Sequence, residues 1–93
     1  MRVEWTGKAR ADLMRLQSFL HEQDVRAAEG IVRSITLATA RLGEHPRIGQ
    51  AIDRFISRDM RRYIVGDYEV RYEITTKCIR VHRVYHTRED RLQ

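Results

Sequence analysis

The run Tyr68-Glu69-Val70-Arg71-Tyr72-Glu73-Ile74 alternates apolar or aromatic residues with charged ones for seven positions without a break. Successive side chains of a strand point to opposite faces, whereas a helix repeats every 3.6 residues. This segment is therefore a strand with one face on a core and the other toward water. Gly66-Asp67 before it and Thr76-Lys77 after it are two-residue turn signals. Strands are accordingly predicted on either side, Arg61–Val65 and Cys78–Tyr85, giving a three-stranded meander. In the last of these the alternation slips between Val81 and Val84, which predicts a bulge or a frayed end.

The first half of the chain has helical spacing instead. Ala9, Leu13, Leu16 and Leu20 recur on one face with Phe19 beside them, and Thr6 is placed to cap their start. Lys8, Arg10, Asp12, Arg15 and Gln17 fill the polar face of this helix, predicted over residues 7–22. Asp24 caps a second helix whose stripe is Ala28, Ile31, Ile35, Ala38 and Leu42, with Gly43 at the position of a C-terminal glycine cap. Gly30 inside it costs about 1 kcal/mol relative to alanine; a close helix–helix contact would account for it. The polar break at His21-Glu22-Gln23 makes the pair an antiparallel hairpin. Arg2–Trp5 reads as a short opening strand, with Trp5 in the core. Residues 44–58 carry the only proline and form a connector, in which Ala51–Ile56 reads as a short turn or strand. The fold class is α+β: an N-terminal strand, then a helical hairpin packed on one face of a small antiparallel sheet, in a single domain spanning 1–93.

Composition narrows the function classes. Cys78 is the one cysteine, so there is no internal disulfide and no Cys/His spacing for zinc. No cofactor or metal is expected. No apolar run approaches the roughly 20 residues needed to cross a bilayer, and no signal-peptide stretch follows Met1, so the expected location is the cytoplasm, with no membrane partner. Residues 1–53 carry a net charge of +1 and residues 54–93 a net charge of +4. All cations but Lys8 and Lys77 are arginines, whose planar, forked donors suit phosphates and carboxylates. This is either a solubilising surface or a match to an anionic partner, nucleic acid or an acidic protein segment.

Four segments together resemble the RelE/ParE superfamily of toxins from type II toxin–antitoxin systems. Val3-Glu4-Trp5-Thr6 with Ala9, Asp12 and Leu13 resembles its first strand and helix. Arg41-Leu42-Gly43-Glu44-His45-Pro46-Arg47-Ile48-Gly49 resembles the exit of its second helix. Tyr68–Ile74 resembles its central strand. Ile79 to Asp90 resembles its terminal strand, ending in a histidine-x-arginine-x-aspartate signature. The resemblance implies one of two activities: cutting mRNA on the ribosome, as RelE-like members do, or inhibiting DNA gyrase, as ParE-like members do. It also implies a cognate antitoxin, ParD-like or RelB-like, in a toxin–antitoxin hetero-oligomer.

Ribosome-dependent cleavage needs a base for the ribose hydroxyl, cations for the developing charge on phosphorus and an acid for the leaving oxygen. His86, Arg62 and Arg83 are the catalytic candidates on a RelE-like reading. Arg80, Tyr85 and Arg88 are candidates for contacting the target or nucleic acid. Two departures favour the ParE-like reading: Glu69 stands where nucleases often place an arginine after the first aromatic of the central strand, and Thr87 follows His86 where a nuclease can place tyrosine. The leading expectation is a gyrase-inhibiting toxin, with a ribosome-dependent mRNA endoribonuclease second and a non-toxic antitoxin-binding corepressor third.

The same residues also suit structural roles. Tyr63, Tyr68, Tyr72 and Tyr85 fit strand packing, His82 a solvent-facing position, Cys78 a small strand hydrophobe, and Arg88 to Arg91 a solvated tail. For the antitoxin, a groove between hairpin and sheet is expected, lined by Leu16, Leu20 and Ile31, which could otherwise simply fill the core. A small open sheet also offers edges to an added strand.

Overall fold

A computed structural model describes residues 1–53 and 57–89. Its elements follow the expected order: β1 (Arg2–Trp5), α1 (Gly7–His21), α2 (Val25–Glu44), a short 3-10 turn (Pro46–Ile48), β2 (Gln50–Ala51), β3 (Asp59–Val65), β4 (Tyr68–Ile74) and β5 (Cys78–His86). The five strands form one sheet in the order β1-β5-β4-β3-β2. β2 through β5 pair antiparallel as expected. β1 lies parallel to β5, with Arg2 opposite Cys78 and Trp5 opposite Val81. The sheet is therefore mixed, and both helices and three strands lie between the members of its one parallel pair.

Both helix starts are capped as the sequence implies. Thr6 Oγ1 accepts the Ala9 N–H, and Asp24 Oδ1 accepts those of Arg26 and Ala27. The Thr6 hydroxyl also donates to the His82 carbonyl oxygen at 3.1 Å, which ties the start of α1 to β5. The turn between β3 and β4 is a two-residue one, with Gly66 at φ +58°, a left-handed conformation that favours glycine. Gly43 is not a cap: α2 runs through it to Glu44, and His45 is the C-cap. Its lack of a side chain serves contact with β1, because a Cβ there would lie 2.5 Å from the Met1 carbonyl oxygen. Gly30, by contrast, makes no close helix–helix contact; it faces open space.

The helices cover one face of the sheet. Leu16, Ile31, Ile35 and Leu42 meet Val70, Tyr72, Ile79, Val81 and Val84, with Trp5, Tyr63 and Tyr68 at the margin. The slip in β5 is a bulge. Val81 pairs with Tyr72 and Arg83 with Arg71, so His82 is the extra residue. It keeps both Val81 and Val84 on the core face although they are three apart. Among the described residues, no helix is long and apolar enough to cross a membrane.

Tyr72 closes the core at the connector. Its hydroxyl donates to the Pro46 carbonyl oxygen at 2.6 Å and accepts the Gly49 N–H at 2.9 Å. A Cβ on Gly49 would sit 2.5 Å from that hydroxyl, so glycine is needed there for close approach.

Candidate functional site

Alternation in β4 sends Tyr68, Val70, Tyr72 and Ile74 to the core and Glu69, Arg71 and Glu73 to the outer face. That outer face is paired within itself. Arg71 Nε donates to Glu69 Oε2 at 2.8 Å, with both side chains largely buried. Tyr85, opposite Glu69 in the register, has the Arg83 and Arg71 guanidinium carbons 4.9 and 5.6 Å from its ring centroid, within cation–π range. Further along, Arg58 donates two hydrogen bonds to Glu73, and His82 Nε2 lies 2.9 Å from Glu73 Oε1. The hydrogen bond from Arg58, helped by that from His82 and by both charges against the opposing effect of burial, lowers the Glu73 pKa to about 2. His82 is thus half-buried and engaged, rather than simply facing solvent.

Arg83 reaches past the sheet to α1. Its Nε and Nη2 donate to Asp12 at 2.8 and 3.0 Å, and Asp12 Oδ2 also accepts the Val84 N–H at 2.9 Å. Asp12 is buried, a correction to the polar face expected for α1. Pairing of β1 with β5 stops at Trp5–Val81, and the carboxylate supplies an acceptor beyond that point. Burial alone would raise its pKa; the bonds from Arg83 and Val84 and the charges of Arg83 and Arg15 outweigh that and lower it.

On the helix side, at the end of the sheet where β4 begins and β5 ends, lies a groove of about 680 Å³. Leu16, Phe19 and Leu20 of α1 form its apolar wall, and Tyr68, His86, Arg88 and Glu89 face them. His86 is the last residue of β5. Its ring stands edge-on to Tyr68 at 5.2 Å, and its Nδ1 accepts the Arg88 N–H. Arg15 pairs with Glu89 at 3.1 Å across the rim. Phe19 is 61% exposed, a large uncovered aromatic at the lip.

The sequence candidates therefore separate. Arg62, Arg71 and Arg83 are in one cross-strand row on the outer face, whereas His86 pairs with Tyr68 on the core face. Arg80 and Tyr85 share the outer face, while Arg88 lies at the groove. Leu16 and Leu20 line the groove; Ile31 lies in the core. Among the described residues no three His, Cys, Asp or Glu side chains are grouped to hold a metal ion.

A family profile described as "ParE toxin of type II toxin-antitoxin system, parDE" matches residues 3–91. The chain belongs to the ParE toxin family. A solved structure from P. aeruginosa, titled "Chromosomal ParDE TA system", superposes with a TM-score of 0.78 at 19% sequence identity. It covers 92% of this chain and 95% of that one, and at this identity it speaks for the fold. No curated protein matches.

On the ParE fold, two features were hidden in the sequence. Phe19 stands beside the α1 stripe, and its uncovered ring was not separable there from core. Asp12 looks like any charged residue on the polar side of a helix; only the β5 register shows what it meets. The closing aspartate of the terminal signature, Asp90, and Arg91 lie outside the described residues, as does the end of the Ala51–Ile56 segment.

Proposed function

We propose that this protein is a single-domain ParE-type toxin that acts in the cytoplasm by inhibiting DNA gyrase, and that a cognate antitoxin neutralises it within a hetero-oligomer. The observation that carries the gyrase reading is the separation of the ribonuclease candidates. His86 is on the core face beside Tyr68, and Arg62 and Arg83 are on the other. Arg83 is also held by Asp12, and the central-strand position that suits a phosphate contact carries Glu69, paired with Arg71. A phosphate approaching the centre of that face meets Arg71 and Arg83 already matched to carboxylates. Arg80 and Tyr85 on the outer face remain the proposed target contacts.

The antitoxin reading rests on the groove beside α1. An amphipathic helix needs an apolar trough with polar rims, and Leu16, Phe19 and Leu20 with Arg15, Arg88 and Glu89 at the edges have that form. The second activity, ribosome-dependent mRNA cleavage, keeps one supporting observation: His86 borders the groove beside Arg88, so a base and a cation are neighbours there.

One pair of assays decides between them. Purified protein is added to a gyrase supercoiling reaction and, separately, to translating ribosomes with a reporter mRNA. Loss of supercoiling with intact mRNA is the expected result. Codon-phased cleavage that disappears in His86→Ala would overturn it, and inertness in both assays would point to a corepressor role.

A further inference from the structure

At the other end of β4 lies a second groove, of about 740 Å³, between the end of α2 and the connector. β4 has seven residues, so at about 3.4 Å per residue the two grooves are roughly 20 Å apart. Pro46, Ile48 and Ile74 give this groove an apolar floor, and Arg41, His45 and Arg47 surround it, with Glu44 as the one carboxylate. Ile48 is 42% exposed.

Two observations define what this place can bind, and the second sets it apart from Arg26 and Arg33, which are equally unpaired among the described residues. First, its arginines are uncommitted. Arg58, Arg61, Arg71 and Arg83 are each bound to a carboxylate, whereas neither Arg41 nor Arg47 makes a side-chain hydrogen bond or ion pair among the described residues. Second, the wall is pinned. Tyr72 holds the Pro46 carbonyl and the Gly49 N–H. Arg61 Nη1 donates to the Arg47 and Gly49 carbonyl oxygens at 3.3 and 2.9 Å, and the Met1 nitrogen donates to the Gly43 carbonyl oxygen at 2.6 Å. An irregular connector fixed at four backbone positions loses little further freedom when something binds, which removes part of the usual cost of association.

We infer that this groove is a docking site for an acidic peptide segment bearing an aliphatic anchor, with Arg41 and Arg47 meeting its carboxylates and Ile48 and Ile74 its anchor. Charge complementarity selects the acid. His45 is the one aromatic ring among the lining residues, so the groove lacks the successive platforms on which single-stranded nucleic acid stacks its bases, and the apolar floor suits a peptide side chain. The site shares no lining residue with the first groove, and neither Arg80 nor Tyr85 lines it.

The test uses a fluorescein-labelled, glutamate-rich dodecapeptide with two leucines, titrated with the full chain and followed by anisotropy at physiological salt. Arg41→Glu with Arg47→Glu should weaken binding by at least about tenfold, on the order of 1.4 kcal/mol. Arg26→Glu with Arg33→Glu, the same change in net charge elsewhere on α2, should leave it within about twofold. Ile48→Ser should weaken it several-fold while circular dichroism stays unchanged. Equal losses in both double variants, or no effect of Ile48→Ser, would overturn the site as a specific one. Equal displacement of the peptide by an oligothymidylate would reassign it to nucleic acid. None of these readouts involves gyrase or antitoxin, so they fail or succeed separately from the proposed function.

Discussion

The carboxylate of Asp12 on α1 accepts the backbone N–H of Val84 on β5 at 2.9 Å and, through its two oxygens, a forked pair of bonds from Arg83. One side chain thereby fixes the helical hairpin against the strand that carries Tyr85 and His86. It does so where β1 no longer covers the edge of β5.

Asp12→Ala should therefore be among the most destabilising single changes on α1. It leaves the Val84 N–H without its acceptor and Arg83 without its counter-ion, a loss of about 3 kcal/mol. Urea unfolding measures this directly; a loss below about 0.5 kcal/mol, the level of an ordinary surface change, would mean the contact does not hold the helix.

Acid should act on the same network. Both Asp12 and Glu73 have lowered pKa values, Glu73 to about 2. A depressed carboxylate stabilises the fold fully above its unfolded pKa, and that stability drains away as pH falls through the folded value. For Glu73 the window is from its ordinary value of 4.5 down to about 2. Thermal melts across this range should fall steadily, and Glu73→Gln should flatten the slope. An unchanged slope in that variant would show that the Arg58–Glu73–His82 cluster does not contribute.

Tyr72→Phe removes only an oxygen, yet it strips the Gly49 N–H of its acceptor and Pro46 of its donor. A loss of about 1–3 kcal/mol is expected. Gly49→Ala should do worse, since its Cβ would press on the same hydroxyl. Calorimetry of the two variants provides the comparison, and an alanine variant as stable as wild type would contradict the close packing.

Gly30→Ala should go the other way. The position is exposed and helical with nothing within 4 Å, so alanine should add about 0.5–1 kcal/mol. A destabilised variant would mean that a neighbour packs against this position.

Phe19→Ala and Leu20→Asp on the groove wall should weaken antitoxin binding, the first with almost no effect on stability because its ring is largely in solvent. Isothermal titration with the cognate antitoxin measures this; full affinity in both variants would move the antitoxin elsewhere on the molecule.

Much of this architecture is written in local pattern. The alternation of Tyr68–Ile74, the Gly66-Asp67 turn and the caps at Thr6 and Asp24 all act within a few residues of themselves, so they survive without knowledge of the rest. Strand neighbours are a different matter. Nothing in Arg2–Trp5 states that it will lie parallel to β5, because its partner comes only after both helices and three further strands. The site suffered most from this. An irregularity near Val84 is visible in the sequence, but the extra residue at His82 changes which face each later side chain takes, and so brings Arg83 to the same face as Arg80. Asp12 and Glu73 read as solvated charges because their partners are distant in sequence or set by register. Gly43 reads as a cap because the approach of Met1 to α2 is long-range.

The parallel pairing of Arg2–Trp5 with Cys78–Val81 has a consequence for how such a chain comes into being. A ribosome delivers β1 first and its partner near the end. Until Cys78 to Val81 has left the exit tunnel, Val3 and Trp5 have no strand to lie against, and the most distant contacts are the slowest to close. β3 and β4 can pair before then, but β1 cannot join the sheet until β5 is made. Activity carried by this fold should thus depend on the last strand having been made, and a message cut short before Cys78 should yield a fragment in which β1 has no partner.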